Sequence, residues 1–387
     1  MQIYLDYSAT TPPRPEVITA MQDVLTQQWG NPSSLHEWGQ QAATLVERAR
    51  MQVAGLINAL AESIIFTSGG TEADNLAIMG VARAHRTPQH IVISSVEHSA
   101  IAEPVRLLEQ WGWEVTRLPV DSQGRVNPTD LEKAIQANTV LVSVLYAQSE
   151  VGTLQPIEVL GEIARKHGVL FHTDAVQVAG RLPIDVQKLP VDLLSISSHK
   201  IYGPQGAGAV YIRNGVELVP MMLGGGQELG LRSGTQAVPA IVGFGVAAEL
   251  AAAEMATETQ RLIQLRDRLF DQLSDTPNLI PTGSRLHRLP HHVSFSVISD
   301  RKNVTGKTLV RQLNLAGIGI SAGSACHSGK LSPSPILKAM GYSDTVALGG
   351  IRLTLGRDTT EADVDWTAMV LKQVLERLIP EPALAGR

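Results

Sequence analysis

Between Ser63 and Arg213 the chain alternates short β-branched runs with stretches of helical periodicity. Such runs are typical of buried strands, and helices between successive strands favour a mainly parallel α/β sheet. We predict strands at 64–67, 90–94, 140–145, 169–172 and 191–197, and helices near 72–85, 99–111 and 156–167. Because open α/β sheets bind ligands at the carboxyl ends of their strands, polar residues directly after these strands are the candidates for function.

The pattern changes beyond about Gln260, where a long polar helix, a strand pair near His292 and helices near 304–315 and 360–378 are predicted. A chain of 387 residues with 44% apolar content can bury one large core and a smaller second one. We therefore predict a large domain at 15–258 and a smaller α+β domain formed by 1–14 and 259–387. The first dozen residues are expected to pack near the site between them.

The net charge of −5 is spread along the chain without a run of lysine or arginine, which argues against nucleic acid or a membrane surface as partner. The first residues lack the pattern of a signal peptide. The most apolar stretch, 238–254, contains a proline and two glutamates, which favour a packed helix over a membrane span. We expect a cytoplasmic protein that binds small molecules. Its single cysteine, Cys326, excludes an intrachain disulfide.

Lys200 is the leading candidate for chemistry. It follows a predicted buried strand and precedes a glycine-rich turn. At a strand end, partial desolvation can release its proton and leave a nucleophilic amine that forms a Schiff base. Most lysines are solvated, so an ordinary loop lysine is the alternative, and only the residues around Lys200 can decide.

Three other strand ends carry polar residues that suit one cofactor. Gly70 and Thr71 open a helix, where free N–H groups and the helix dipole favour a phosphate. Asp174 follows a buried strand and needs a cationic partner, which a protonated pyridine would supply. His98 is suited to stacking on a ring and moving protons. Taken singly, Thr71, His98 and Asp174 can each be explained as a helix cap. Together with Lys200 they favour pyridoxal 5′-phosphate (PLP).

Seven motifs, in order and at their spacing, resemble the cysteine desulfurases of the NifS/IscS class, within the class-V aminotransferase family. The resemblance covers nearly the whole chain. It implies the α/β architecture of fold-type I PLP-dependent transferases with a seven-stranded, mainly parallel sheet, a homodimer, and PLP-dependent transfer of sulfur from L-cysteine to an enzyme cysteine. The motifs are Thr67-Ser-Gly-Gly-Thr-Glu, Glu97-His-Ser-Ala, His172-Thr-Asp-Ala-Val-Gln, Ser197-Ser-His-Lys-Ile-Tyr-Gly-Pro, Gly224-Gly-Gly-Gln-Glu, Arg232-Ser-Gly-Thr and Ser321-Ala-Gly-Ser-Ala-Cys.

The resemblance also implies a role for each site residue. Lys200 would carry PLP in a Schiff base, Asp174 would pair with the pyridinium, and His98 would stack on the ring and handle protons. The remaining cofactor ligands would be Gln177 at the phenolic oxygen, Gly70, Thr71, Ser197 and His199 at the phosphate, and Thr235 reaching the phosphate from the other subunit.

Two further residues would bind the substrate. Arg352 would clamp its carboxylate with the guanidinium fork, although a surface arginine in a strand is the alternative. Asn31 would approach the substrate, although a turn asparagine explains it equally well.

Cys326 lies in a stretch of small and polar residues, about 321–334. A lone cysteine is often buried filler, but His327 and Lys330 would favour a thiolate, and a loop would let sulfur travel to an acceptor. By resemblance, Cys326 would take the substrate sulfur as a persulfide, release L-alanine and supply an acceptor such as an iron–sulfur scaffold protein. No metal site is expected, apart from transient ligation of a cluster by Cys326.

The chain departs from the family pattern at Ser149, in Gln148-Ser-Glu-Val-Gly, where an asparagine near the cofactor oxygen is usual. The shorter serine would need a bridging water to reach it. The alternatives to a desulfurase are an aminotransferase or C–S lyase of the same fold, neither of which needs Cys326. A non-catalytic sulfur-relay protein is the alternative from another class.

Overall fold

A computed structural model describes residues 2–299, 301, 303–323 and 332–380. The strands are β1 Ile3–Tyr4, β2 Ile64–Thr67, β3 His90–Ser94, β4 Glu114–Leu118, β5 Thr139–Ser143, β6 Leu170–Asp174, β7 Leu193–Ser197, β8 Gly208–Ile212, β9 Leu279–Pro281, β10 His292–Val297, β11 Ile318–Gly319, β12 Ser321–Ala322 and β13 Gly350–Thr354. The helices are α1 Pro15–Gln27, α2 Glu37–Leu56, α3 Gly70–Arg83, α4 Ser99–Gln110, α5 Pro128–Ala134, α6 Ile157–Lys166, α7 Val238–Leu273, α8 Gly306–Leu315, α9 Pro335–Ala339, α10 Asp344–Leu348 and α11 Glu361–Leu378.

The predicted mainly parallel sheet is confirmed. It has seven strands in the order β2-β8-β7-β6-β5-β3-β4, and β8 runs antiparallel to both of its neighbours. Its strands are buried on both faces: Leu194 and Ile196 of β7 enter one core while Leu193 enters the other. Because the parallel strands end at one edge, the carboxyl ends of β3, β6 and β7 lie at that edge, and His98, Asp174 and Lys200 lie at or just after these ends.

A second sheet, in the order β12-β13-β10-β9, packs with α8 and α11 around a separate core. Helix α7 joins the two parts, because its first buried residues belong to the core of the large sheet and its last ones, from Leu262 onward, to the second core. The predicted boundary at 258/259 falls within this continuous helix and stays a prediction. Among the described helices, α7 alone is long and apolar enough, by length and composition, to cross a membrane.

The N-terminal segment connects the second sheet region to the large one. Strand β1 pairs in parallel with β11, and the backbone N–H of Thr354 donates to the carbonyl of Leu5 at 2.8 Å. A few residues later, the N–H of Thr11 donates to the carbonyl of His199 at 3.0 Å, beside the turn after β7. The segment between these two contacts therefore crosses the edge of the sheet at which Lys200 lies.

Candidate active site

Lys200 ends a short 3₁₀ turn, Ser198–Lys200, that follows β7 directly. Its Nζ donates hydrogen bonds to the backbone carbonyls of Ser8 at 2.6 Å and Ala9 at 2.8 Å. Burial, together with the positive charge of Arg352, lowers the pKa of Lys200 to about 8. The alternative of a freely solvated loop lysine is therefore wrong, and a substantial fraction of this amine is neutral near physiological pH.

Asp174 is the last residue of β6 and is 9% exposed. Its Oδ1 accepts a hydrogen bond from the backbone N–H of Val176 at 2.9 Å. Burial raises the pKa of this carboxyl, while the nearby His98 and Lys200 act in the opposite direction. The carboxylate thus lies at the strand end with one backbone hydrogen bond, where it can pair with a pyridinium.

His98 is the N-cap of α4, where its Nδ1 accepts a hydrogen bond from the N–H of Ala100 at 3.2 Å. The capping alternative is therefore correct, but it does not remove His98 from the site. A ring nitrogen of His98 and carboxylate oxygens of Asp174 and Asp74 lie within 4.8 Å of one another. Asp74, on α3, was not identified from the sequence.

The start of α3 lies beside these groups. Its N-cap is Gly69, without a capping side chain, so the alternative of Thr71 as the cap is wrong. A Cβ added to Gly70 would lie 2.8 Å from Cγ2 of Val176 and 3.5 Å from Cβ of Ser197, which shows how closely the helix start approaches the ends of β6 and β7. An uncapped helix start at this position fits a phosphate group.

Gln177 and His199 complete this side of the site. Gln177 donates from Nε2 to the carbonyl of Ser8 at 3.1 Å, and its buried Oε1 has no hydrogen-bond partner among the described residues. The ring of His199 contacts the hydroxyl of Thr10, with Nδ1 and Oγ1 3.1 Å apart. Burial and the neighbouring Lys200 lower the pKa of His199 to about 4, so it is neutral.

Arg352, on β13, has a side chain that is 13% exposed, so the surface-arginine alternative is wrong. Its Nη2 donates to Oδ1 of Asp6 at 2.7 Å and its Nη1 to the backbone carbonyl of Ser149 at 3.0 Å. Its Nε is buried and has no partner among the described residues. Ser149 thus participates through its carbonyl, which also contacts Nε2 of His292 at 3.0 Å. The unpaired Nε leaves Arg352 able to bind a further anion.

Two predicted residues, Asn31 and Thr235, are not brought into this cluster, and a third, Cys326, lies outside the described residues. Asn31 is exposed, and its Oδ1 accepts from the N–H of Ser33 at 2.9 Å, as in a turn asparagine. Thr235 is exposed, and its predicted contact with a cofactor in another subunit stays a prediction. Cys326 and most of the predicted cysteine loop lie outside the described residues, which stop at Gly323 and resume at Ser332.

The residues present fit PLP. The site offers a buried amine of lowered pKa, a carboxylate at a strand end and an uncapped helix start, and these features match the aldehyde, the ring nitrogen and the phosphate of the cofactor. The orphaned Oε1 of Gln177 supplies the independent observation, because a buried polar atom without a partner indicates a ligand group that completes it.

Comparison with known proteins agrees with this geometry. Residues 3–366 match the family described as aminotransferase class-V. The cysteine desulfurase IscS of Dictyoglomus turgidum is 46% identical over 97% of this chain and 95% of its own length. The protein of the same name from Methanosarcina thermophila is 45% identical over 97% of this chain and 92% of its own length.

Solved structures of NifS-like proteins are also similar to this chain. A NifS-like protein superimposes with a TM-score of 0.90 at 36% identity, covering 97% of this chain and all of that one. A NifS-like protein from Rickettsia africae gives a TM-score of 0.87 at 31% identity, again covering 97% of this chain and all of that one. The chain therefore belongs to the class-V aminotransferase family and, within it, to the PLP-dependent cysteine desulfurases of the NifS/IscS class.

Proposed function

We propose that this cysteine desulfurase moves the sulfur of L-cysteine onto Cys326 and releases L-alanine. The observation that carries the proposal is the amine of Lys200, held at a strand end with a pKa of about 8 and flanked by Asp174 and Arg352. Activation of an amino acid requires an amine that exchanges a proton, an anion that stabilises the protonated ring nitrogen, and a guanidinium that binds the substrate carboxylate.

The described residues divide the work on the substrate. Arg352 binds the substrate carboxylate through its unpaired Nε, which fixes the amino acid beside Lys200. PLP, when bound, supplies an electron sink that makes the Cα proton of the amino acid acidic. The amine of Lys200 removes that proton, and the carbonyls of Ser8 and Ala9 direct its Nζ. Asp174 stabilises the protonated ring nitrogen, and His98 transfers protons to and from the thiol.

The sulfur step belongs to Cys326. Its thiolate attacks the substrate sulfur, the new S–S bond forms as the C–S bond breaks, and the electron pair of that bond stays with the carbon skeleton. A proton then completes L-alanine. The balance is one L-cysteine and one thiol converted to one L-alanine and one persulfide, with no external oxidant or reductant.

The finer features of this proposal have different kinds of support. The substrate is supported by a relative named SspA, 34% identical with a TM-score of 0.81 and covering 92% of this chain and 99% of that one, whose structure is described as a complex with cysteine. A homodimer is supported by the motif containing Thr235, which is exposed on this chain. Delivery of the persulfide to an iron–sulfur scaffold in the cytoplasm is supported by the family resemblance.

One assay tests the function. Purified protein is incubated with PLP and L-cysteine, and L-alanine, pyruvate, sulfide and the mass of the peptide containing Cys326 are measured. We expect alanine without pyruvate and a mass increase of one sulfur atom on Cys326. Cys326→Ala should keep the visible absorbance of bound PLP but lose the persulfide, whereas Lys200→Ala should lose both the normal absorbance and turnover.

The same assay excludes the alternatives. Pyruvate with free sulfide would identify a C–S lyase, and alanine formed only with an amino donor and a keto acid would identify an aminotransferase. Unchanged sulfur transfer in Cys326→Ala would contradict the role of Cys326. A protein that binds no PLP and does not turn over cysteine would favour the sulfur-relay alternative.

A further inference from the structure

Asp74 places a second carboxyl group beside Asp174. It lies on α3 and is 1% exposed, and one of its carboxylate oxygens is within 4.8 Å of an oxygen of Asp174 and a ring nitrogen of His98. The fold brings the two aspartates together because the start of α3 packs against the ends of β6 and β7. Two carboxylates this close in a buried site repel each other strongly if both are ionised.

Among the described residues, no partner of Asp74 carries a positive charge that would neutralise its carboxylate. The hydroxyl of Ser195, on β7, bonds its carboxyl, while Oδ1 has no hydrogen-bond partner among the described residues. Nε2 of His172 lies 3.7 Å from Oδ1, but both ring nitrogens of His172 already contact serine hydroxyls. Burial lowers the pKa of His172 to about 3, so this ring is neutral and supplies no counter-charge.

The groups around Asp74 and Asp174 favour different protonation states of the two carboxyls. Burial and the negative charge of Asp174 raise the pKa of Asp74 well above its ordinary value, and Glu97 adds to this effect only where it is ionised. Asp174 is also buried, but His98 and Lys200 favour its ionised form. Glu97 is itself buried, with its pKa raised to about 8. A proton shared by the aspartate pair therefore resides on Asp74.

We propose that Asp74 stays protonated at neutral pH and acts as a positioning residue, a neutral carboxyl that leaves Asp174 as the single ionised aspartate facing the cofactor nitrogen. This inference rests on the proposed function only in placing Asp174 at that nitrogen. An ionised Asp74 would add a buried negative charge without a counter-charge among the described residues. A protonated Asp74 keeps its hydrogen bond with Ser195. The ring nitrogen of the cofactor then has a single counter-ion, Asp174.

The Asp74→Asn apoprotein tests the protonation state without the cofactor. A group whose pKa is higher in the folded state than in the unfolded chain contributes stability that is present below its unfolded pKa, about 3.9, and is lost as pH rises toward the folded value. Asparagine cannot lose that proton. The melting temperature of Asp74→Asn relative to wild type should therefore increase as pH rises from about 5 to about 8.

The matched control is Asp23→Asn, at an exposed aspartate on α1, for which the difference from wild type should not follow pH in this range. Glu97→Gln measured in parallel separates the contribution of Glu97. A difference for Asp74→Asn that is constant across the range, as for the control, would overturn the proposal. This titration is independent of turnover, so it remains decisive if the proposed function fails.

Two measurements on other forms add to this test. The holoprotein of Asp74→Asn should bind PLP within about twofold of wild type, with an unchanged pH midpoint of the visible absorbance. Affinity lowered tenfold or more would mean that Asp74 contributes a charge, which contradicts the proposal. In wild-type apoprotein labelled with ¹³C-aspartate, infrared spectra at pH 7 should contain a protonated aspartate carbonyl band, and its absence would also overturn the proposal even if Asp74→Asn does not fold.

Discussion

A buried arginine–carboxylate pair and a partly buried one differ in how completely their hydrogen-bonding groups are satisfied. Arg50 and Glu228 form a bidentate pair at 2.7 and 2.9 Å, and Glu228 also accepts from the N–H of Phe66 and the amide of Gln236. Arg352 and Asp6 share a single hydrogen bond of 2.7 Å. The first pair has little capacity left for a ligand, while the second retains an unpaired Nε. The comparison favours a role in fold stability for the first pair, and the unpaired Nε of the second supports the proposed binding of substrate by Arg352.

The largest expected effect is the loss of folding stability when the Arg50–Glu228 pair is broken. Glu228→Gln should lower the free energy of unfolding by about 3–5 kcal/mol, because it removes the buried counter-charge of Arg50 and leaves only the exposed Glu47 beside the guanidinium. Denaturant unfolding of the apoprotein measures this loss. Glu103→Gln, in the exposed pair with Arg106, is the control and should have little effect. Equal stability of the two variants would remove the distinction between the pairs.

Arg352→Lys should instead act on the substrate. Lysine has a single ammonium group and cannot bind the substrate carboxylate while keeping the contacts of the guanidinium with Asp6 and Ser149, so kcat/KM for L-cysteine should fall about 100-fold, equivalent to about 2.7 kcal/mol. The free energy of unfolding should change little. Arg268→Lys, at an exposed ion pair, should leave kcat/KM unaltered. A kcat/KM of Arg352→Lys within threefold of wild type would mean that another group binds the carboxylate.

The smallest effect is expected for Asp6→Asn. Asp6 orients Arg352 through one partly exposed ion pair, and the carbonyl of Ser149 continues to hold the guanidinium. We therefore expect KM for L-cysteine to rise about two- to fivefold, as for the loss of ~0.5–1 kcal/mol, with kcat nearly constant. Asp23→Asn again serves as the control in steady-state kinetics. A decrease in KM would show that Asp6 competes with the substrate carboxylate rather than orienting Arg352.

Much of the fold and site could be predicted because the information is local in the sequence. The β-branched runs and the residues directly after them indicated the sheet and the strand-end positions of His98, Asp174 and Lys200. Their roles with the cofactor were argued from residue chemistry at these positions and from the family resemblance, and they stay predictions. Helix α7 illustrates the limit, because its apolar first half and polar second half were predicted as separate segments, and the sequence did not indicate that one continuous helix joins two cores.

The residues that sequence reasoning missed depend on distant or backbone contacts. Asp74 lies in a predicted helix, and only the packing of α3 against β6 brings it to Asp174. Asp6 meets Arg352 across 346 residues. Ser149 was considered for its side chain, whereas its carbonyl makes the contact, and a carbonyl is present at every position whatever the residue. The one local indication for Asp74 is its position as the last residue of Thr67-Ser-Gly-Gly-Thr-Glu-Ala-Asp.

The crossing of the N-terminal segment between the two sheets has a consequence for biosynthesis. Ser8 and Ala9 provide the carbonyls that bind Lys200, yet the N–H of Ser8 is held by Oγ1 of Thr354, which the ribosome adds 346 residues later. The large sheet can begin to fold as its strands emerge, since domains fold progressively during synthesis. The residues made first are thus among the last to reach their final positions, and a nascent or prematurely terminated chain lacking β13 leaves the amine of Lys200 without its fixed acceptors.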